Sequence, residues 1–127
     1  EPRWRAFFRG ALTMAGNPIA AYAIPTVVTD GATQVFDCSG ATHFRWTLGA
    51  SRTASTFTNP VGGQTIEIET IQDATGSRLV TWPSNVNWPA ATAPTLTTTA
   101  AKRDRFAFRY NSTTATWDGY TLGLNYT

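Results

Sequence analysis

The chain has 127 residues, of which 14% are charged, and a formal net charge of +2. A single domain of this length buries roughly two thirds of its unfolded surface and folds without staples, while sparse charge with abundant Thr, Ser, Gly, Asn and aromatics excludes a helical bundle or a disordered tail. The basic residues are scattered apart from Arg3/Arg5/Arg9 and Lys102-Arg103-Asp104-Arg105, too few for nucleic-acid binding by charge, and no run of about 18 apolar residues offers membrane insertion.

The first thirty residues differ from the rest. EPRWRAFFRG mixes Arg3, Arg5 and Arg9 with Trp4, Phe7 and Phe8, and AGNPIAAYAIPTVV is apolar with prolines at 18 and 25. Residues 1–30 are therefore expected to form an extended assembly arm and connection supplying at most one strand. In that arm Trp4, Phe7 and Phe8 lie on a partner surface, and the arginines meet its carboxylates or carbonyls. An edge strand of the same domain is the competing expectation. The absence of an initiator methionine or signal-like stretch at Glu1 reads as a processed product or a piece of a longer polypeptide.

Residues 31–127 carry period-2 alternation in short runs separated by turn residues, which predicts an all-β, antiparallel β-sandwich of jelly-roll type. The single cysteine, Cys38, excludes an intrachain disulfide and reads as a small buried hydrophobe. In HFRWTL, Phe44, Trp46 and Leu48 share the buried face, with His43, Arg45 and Thr47 opposite. In QTIEIETI, Ile66 and Ile68 point in and Glu67 and Glu69 out, and Ile71 on the glutamate parity predicts a bulge near Thr70 or the end of the strand. NPVGGQ and DATGSR are turns. RLVTW buries Val80 and Trp82, RFAFRY buries Phe106 and Phe108, and YTLGLNY buries Leu122 and Leu124. The last two runs form a hairpin across Asn111–Thr114.

VTWPSNVNWPAATAPTLTT holds two Trp-Pro pairs. Each proline fixes its own φ and extends the tryptophan before it, so the pairs bound a stiff excursion from the sheet. Trp88 then either folds back with Val86 as a plug over the open end of the sandwich or stands exposed as a stacking platform for a glycan. The plug is the favoured expectation.

The run from Gly62 to Tyr126 resembles a C-terminal β-module recurrent in tailed-bacteriophage tail fibre, minor tail and head appendage proteins. The resemblance rests on Gly63-Gln64 before an alternating strand, Gln72-Asp73, Gly76 with Arg78, Thr81-Trp82-Pro83-Ser84, Trp88-Pro89, Ala93-Pro94-Thr95-Leu96 and the closing aromatic strand. VVTDGATQVFDCSGATHFRWTL is similar to the strand pair that often precedes the module. Two departures stand out. Ala90-Ala91-Thr92 occupies the usual glycine-rich turn, and Lys102-Arg103-Asp104-Arg105 replaces an acidic, apolar approach to the penultimate strand.

Enzymatic readings fare poorly. His43 is the only histidine, it lies on the solvent side of its strand, and no G-x-S-x-G elbow is present. Glu67 and Glu69 point the same way from one strand and cannot flank a scissile bond. No catalytic, cofactor-binding or metal-ligating set is expected. The resemblance implies a non-enzymatic virion structural protein, a tail fibre or tail-tip appendage subunit acting in assembly and host-surface attachment. Its expected partners are other phage virion proteins, two further copies of itself in a homotrimer, and a host cell-surface glycan. A capsid decoration or head-spike protein and a carbohydrate-binding module are the alternatives. Trp88, Lys102, Arg103 and Arg105 are the candidate ligand or partner surface.

Overall fold

The computed structural model describes residues 24–127; the expected arm residues Arg3, Trp4, Arg5, Phe7, Phe8 and Arg9 lie outside the described residues. The described strands are β1 (Thr26–Val27), β2 (Thr33–Asp37), β3 (His43–Leu48), β4 (Arg52–Thr58), β5 (Thr65–Gln72), β6 (Val80–Thr81), β7 (Val86–Asn87), β8 (Arg103–Asn111) and β9 (Thr116–Tyr126). Among the described residues helix is confined to one 3-10 turn, Pro89–Ala91, so the all-β expectation holds. The strand β1 lies within the first thirty residues, which are expected to supply at most one strand, and joins the sheet beside β3.

From β1 to β6 successive strands alternate between two sheets, one ordered β1-β3-β5-β8-β9-β7 and the other β2-β4-β6. A chain that crosses to the opposite sheet and returns arrives in its original direction. Hence β1, β3 and β5 pair parallel, as do β2, β4 and β6, and the chain winds as a short two-sided coil. The sandwich is as expected; its antiparallel, jelly-roll wiring is not. Among the described strands only β5 with β8 and β8 with β9 are antiparallel, the latter forming the expected hairpin, while β7 lies parallel to β9. Alternation specifies the face a side chain takes and leaves the neighbouring strand open.

Phe44, Trp46, Leu48, Ile66, Ile68, Phe106 and Phe108 are buried as their parity predicts. Phe36, Ala54 and Phe57 close over them from the second sheet. The rings meet edge to face, Phe36 with Phe44 at 5.2 Å, Phe36 with Trp46 at 5.3 Å and Phe57 with Trp117 at 5.2 Å. Each such pair contributes about 0.5–1.5 kcal/mol beyond its buried area. Val80 and Trp82 are partly buried against this cluster.

Leu122 and Leu124 depart from expectation, with 51% and 43% of their surface exposed. In β9 the inward positions go to Trp117 and Gly119, opposite Tyr110 and Phe108, which turns Tyr120 and Leu122 outward. Beyond them the register against β8 shifts twice, between Arg105 and Phe106 and between Arg103 and Arg105. The bulge expected near Thr70 is also missing. The strand β5 pairs without a shift through Ile71, leaving Ile71 partly covered on the outer face and Thr70 and Gln72 buried inside. Gln72 is satisfied there by the backbone of Arg78, whose carbonyl accepts from Nε2 at 2.8 Å and whose N–H donates to Oε1 at 2.9 Å.

Aspartates hold three corners of the coil. Asp30 accepts the indole N–H of Trp46 at 2.9 Å, the N–H of Gly49 at 3.0 Å and the Arg52 guanidinium. Asp37 binds Ser39 and Asn59. Asp73 accepts the N–H groups of Thr75 at 3.1 Å and Gly76 at 2.8 Å and pairs with Arg78 at 2.8 Å. Gly76 has φ +75°, and a Cβ there would lie 2.5 Å from the Thr98 carbonyl, so only glycine fits this corner. Burial opposes ionisation of Asp30, but its bonds to Arg52, Trp46 and Gly49 outweigh it and hold the carboxyl below its ordinary value of 3.8. Arg78 chiefly lowers Asp73, and Asn59 chiefly lowers Asp37. A depressed carboxylate stabilises the fold above its unfolded pKa, and that stabilisation is lost as pH falls through the folded value. Acid unfolding should therefore steepen below the ordinary value of 3.8, and Asp30→Asn should flatten that limb in a urea-midpoint titration against pH.

The Trp-Pro excursion crosses the open end of the sandwich. Trp88 lies on Gly119, its ring 5.9 Å from Trp82 and 5.6 Å from Phe108, so it forms the plug. Immediately beyond it Ala90 and Ala91 have φ of 54° and 55°, in the left-handed region that favours glycine. That geometry costs an L-residue about 1–2 kcal/mol, and glycine returns about 0.4–1 kcal/mol of it through unfolded-chain entropy. Ala90→Gly with Ala91→Gly should accordingly raise stability by about 1 kcal/mol, read as a higher urea midpoint at unchanged slope.

Candidate functional site

The alternation that sends Phe44, Ile68 and Phe106 inward sends Arg45, Glu69 and Arg105 outward on three adjacent strands. Register then aligns them, Arg45 opposite Glu69 and Glu69 opposite Arg105. In the next row His43 stands opposite Glu67. Arg103 enters from the start of β8, its guanidinium 5.8 Å above the Tyr126 ring.

Glu69 is the hub. Its Oε1 accepts from Arg45 Nε at 2.9 Å, while Oε2 accepts from Arg103 Nη1 at 3.1 Å and Arg105 Nη2 at 2.7 Å. These cations cover it, so the side chain expected to face solvent is only 5% exposed. Glu67 takes Arg105 Nη1 at 2.8 Å and His43 Nε2 at 3.3 Å. A carboxylate buried this far is tolerable only because each oxygen has charged donors. Three guanidiniums thus share two carboxylates, an excess of one positive charge among these five side chains. They border a hollow of about 280 Å³ whose remaining walls are Pro25, His43 and Phe44.

The residues singled out from the sequence fall on different surfaces. Arg103 and Arg105 belong to this outer cluster, Lys102 precedes it at the strand end, and Trp88 sits on the inner side against Phe106 and Phe108. Trp88 and the basic residues therefore do not form one platform. The sequence reading missed Arg45 and Glu69 as partners, because their juxtaposition comes from the parallel register of β3 and β5. Charged residues interrupting apolar runs were the available signal.

Cys38 is buried, and burial together with the Asp37 charge pushes its thiol up to about 12, so it stays protonated near neutrality. Among the described residues no group of three or more His, Cys, Asp or Glu side chains could hold a metal ion. No protein-family model, curated protein or solved structure matches the chain.

Proposed function

We propose that the chain is a non-enzymatic structural subunit of a bacteriophage virion, within a tail fibre or tail-tip appendage, that assembles as a homotrimer and presents its outer sheet face to the host surface. The observation that carries this reading is the convergence of the resembling elements on one closed unit. Gln72, Asp73, Gly76 and Arg78 build a single corner, Trp82 and Trp88 plug the sandwich, and the aromatic β8–β9 hairpin ends the sheet.

Assembly is supported by the edges of the six-stranded sheet. At one edge Ile24 and Val27 are 90% and 74% exposed beside β1; toward the other, Tyr120, Leu122 and Leu124 are exposed on β9. Among the described residues no strand pairs with β9 beyond Asp118 on the side away from β8. Different open edges favour a head-to-tail contact, which closes only as a ring. Gold-labelled antibody against the protein, imaged on intact particles, should mark the tail tip or fibres, and sedimentation should give three copies. Label on the head, or no label on any particle, would overturn the tail assignment.

A further inference from the structure

We propose that the hollow on the outer sheet face binds one anionic sugar unit of a surface polysaccharide through its carboxylate, with Arg45 as the anchoring residue; this rests on the host-attachment reading above. Arg45 spends only Nε on Glu69, and neither of its terminal amino groups has a protein acceptor among the described residues. Its side chain is 46% exposed at the mouth, while the carboxylate that orients it is covered. Glu69 fixes all three guanidiniums at once, so the cation array is set before any ligand arrives and little ordering cost remains at binding. A planar guanidinium with both terminal nitrogens free matches a carboxylate's two oxygens.

The remaining lining selects the rest of the ligand. Glu67 supplies acceptor oxygens beside the arginine donors, and Pro25 supplies an apolar wall. Hydroxyl groups use those acceptors and the carbon-bound hydrogens of a pyranose use the wall. Inorganic phosphate has no carbon-bound hydrogens for the wall, and its higher negative charge is repelled more strongly by the two carboxylates than a uronate's single charge. At about 280 Å³ the hollow has room for one such ring rather than a chain.

The test is a titration of the whole protein with D-galacturonate and D-glucuronate, followed through the amide signals of β3, β5 and β8, with D-galactose, acetate and inorganic phosphate as separate arms. At least one uronate should give saturable shifts around the hollow at millimolar concentration, at least about tenfold tighter than any of the other three, as one charge-assisted bidentate contact allows. Arg45→Gln should weaken it about tenfold, Arg45→Lys should fall between, and Arg109→Gln, on the same strand as Arg105 but away from the hollow, should leave it unchanged. No saturable uronate shift, uronate binding no tighter than phosphate or acetate, or full binding in Arg45→Gln would overturn the proposal. Should Arg45→Gln not fold, Arg45→Lys decides by the same criterion. A protein that binds uronate but labels no virion keeps this site and loses the phage reading. A tail-located protein blind to both uronates loses only the site.

Discussion

Asp104→Ala is expected to lower the unfolding free energy by about 3 kcal/mol. Asp104 is 2% exposed inside a run that reads as basic surface, Lys102-Arg103-Asp104-Arg105. Its Oδ2 accepts the N–H of Thr97 at 2.7 Å and its Oδ1 the N–H of Asn125 at 2.9 Å. One carboxylate thus ties the end of the Trp-Pro excursion to the last turn of β9, where Asn125 has φ 63°. Bonds to a charged acceptor are worth about 1.5–3 kcal/mol each, and alanine leaves both amides without it. Asp104→Asn keeps one acceptor and turns an N–H₂ toward the other amide, so it should cost at least half as much. Urea unfolding of the two variants measures this; a loss under about 1 kcal/mol for alanine would mean that water replaces the carboxylate freely.

Gly119 and Trp88 should behave as one unit. A Cβ on Gly119 would sit 2.7 Å from two carbons of the Trp88 ring, so Gly119→Ala must displace the indole, at a cost of about 2 kcal/mol. Trp88→Ala opens the same space from the other side and should cost about 2–4 kcal/mol, less than a fully buried tryptophan because Trp88 keeps some exposure. With the indole gone the new methyl has room. The double variant should therefore be more stable than the sum of the single losses by at least about 1 kcal/mol. Additive losses in a denaturation cycle would mean that the ring does not rest on the glycine.

How far the fold can be read from the sequence depends on whether parity alone decides a position. Phe44, Trp46, Ile66, Ile68, Phe106 and Phe108 alternate cleanly and are buried. In β9 parity misleads, because the inward face is set by Trp117 and by a glycine that hydropathy cannot register, while the apolar Tyr120, Leu122 and Leu124 face outward. Parallel winding was equally hidden, since direction follows from the corners between sheets, and those depend on Asp30, Asp37 and Asp73 choosing particular backbone and arginine partners. The outer cluster was half legible. Arg103 and Arg105 stood out as charge, whereas Glu69 became a hub only through two registers acting together.

A coil that lays one strand on each sheet per turn has no intrinsic length. A further turn inserted between β4 and β5 would find the same two parallel edges that β5 and β6 now use, and would lengthen the body without rewiring the later strands. The antiparallel meeting of β8 with β5 ends that freedom, for a strand running backwards offers no continuation in the winding sense. The winding therefore has a direction, open to a further turn before β5 and closed to one at β8. Duplication of a single turn is the cheapest change by which such a body could gain reach.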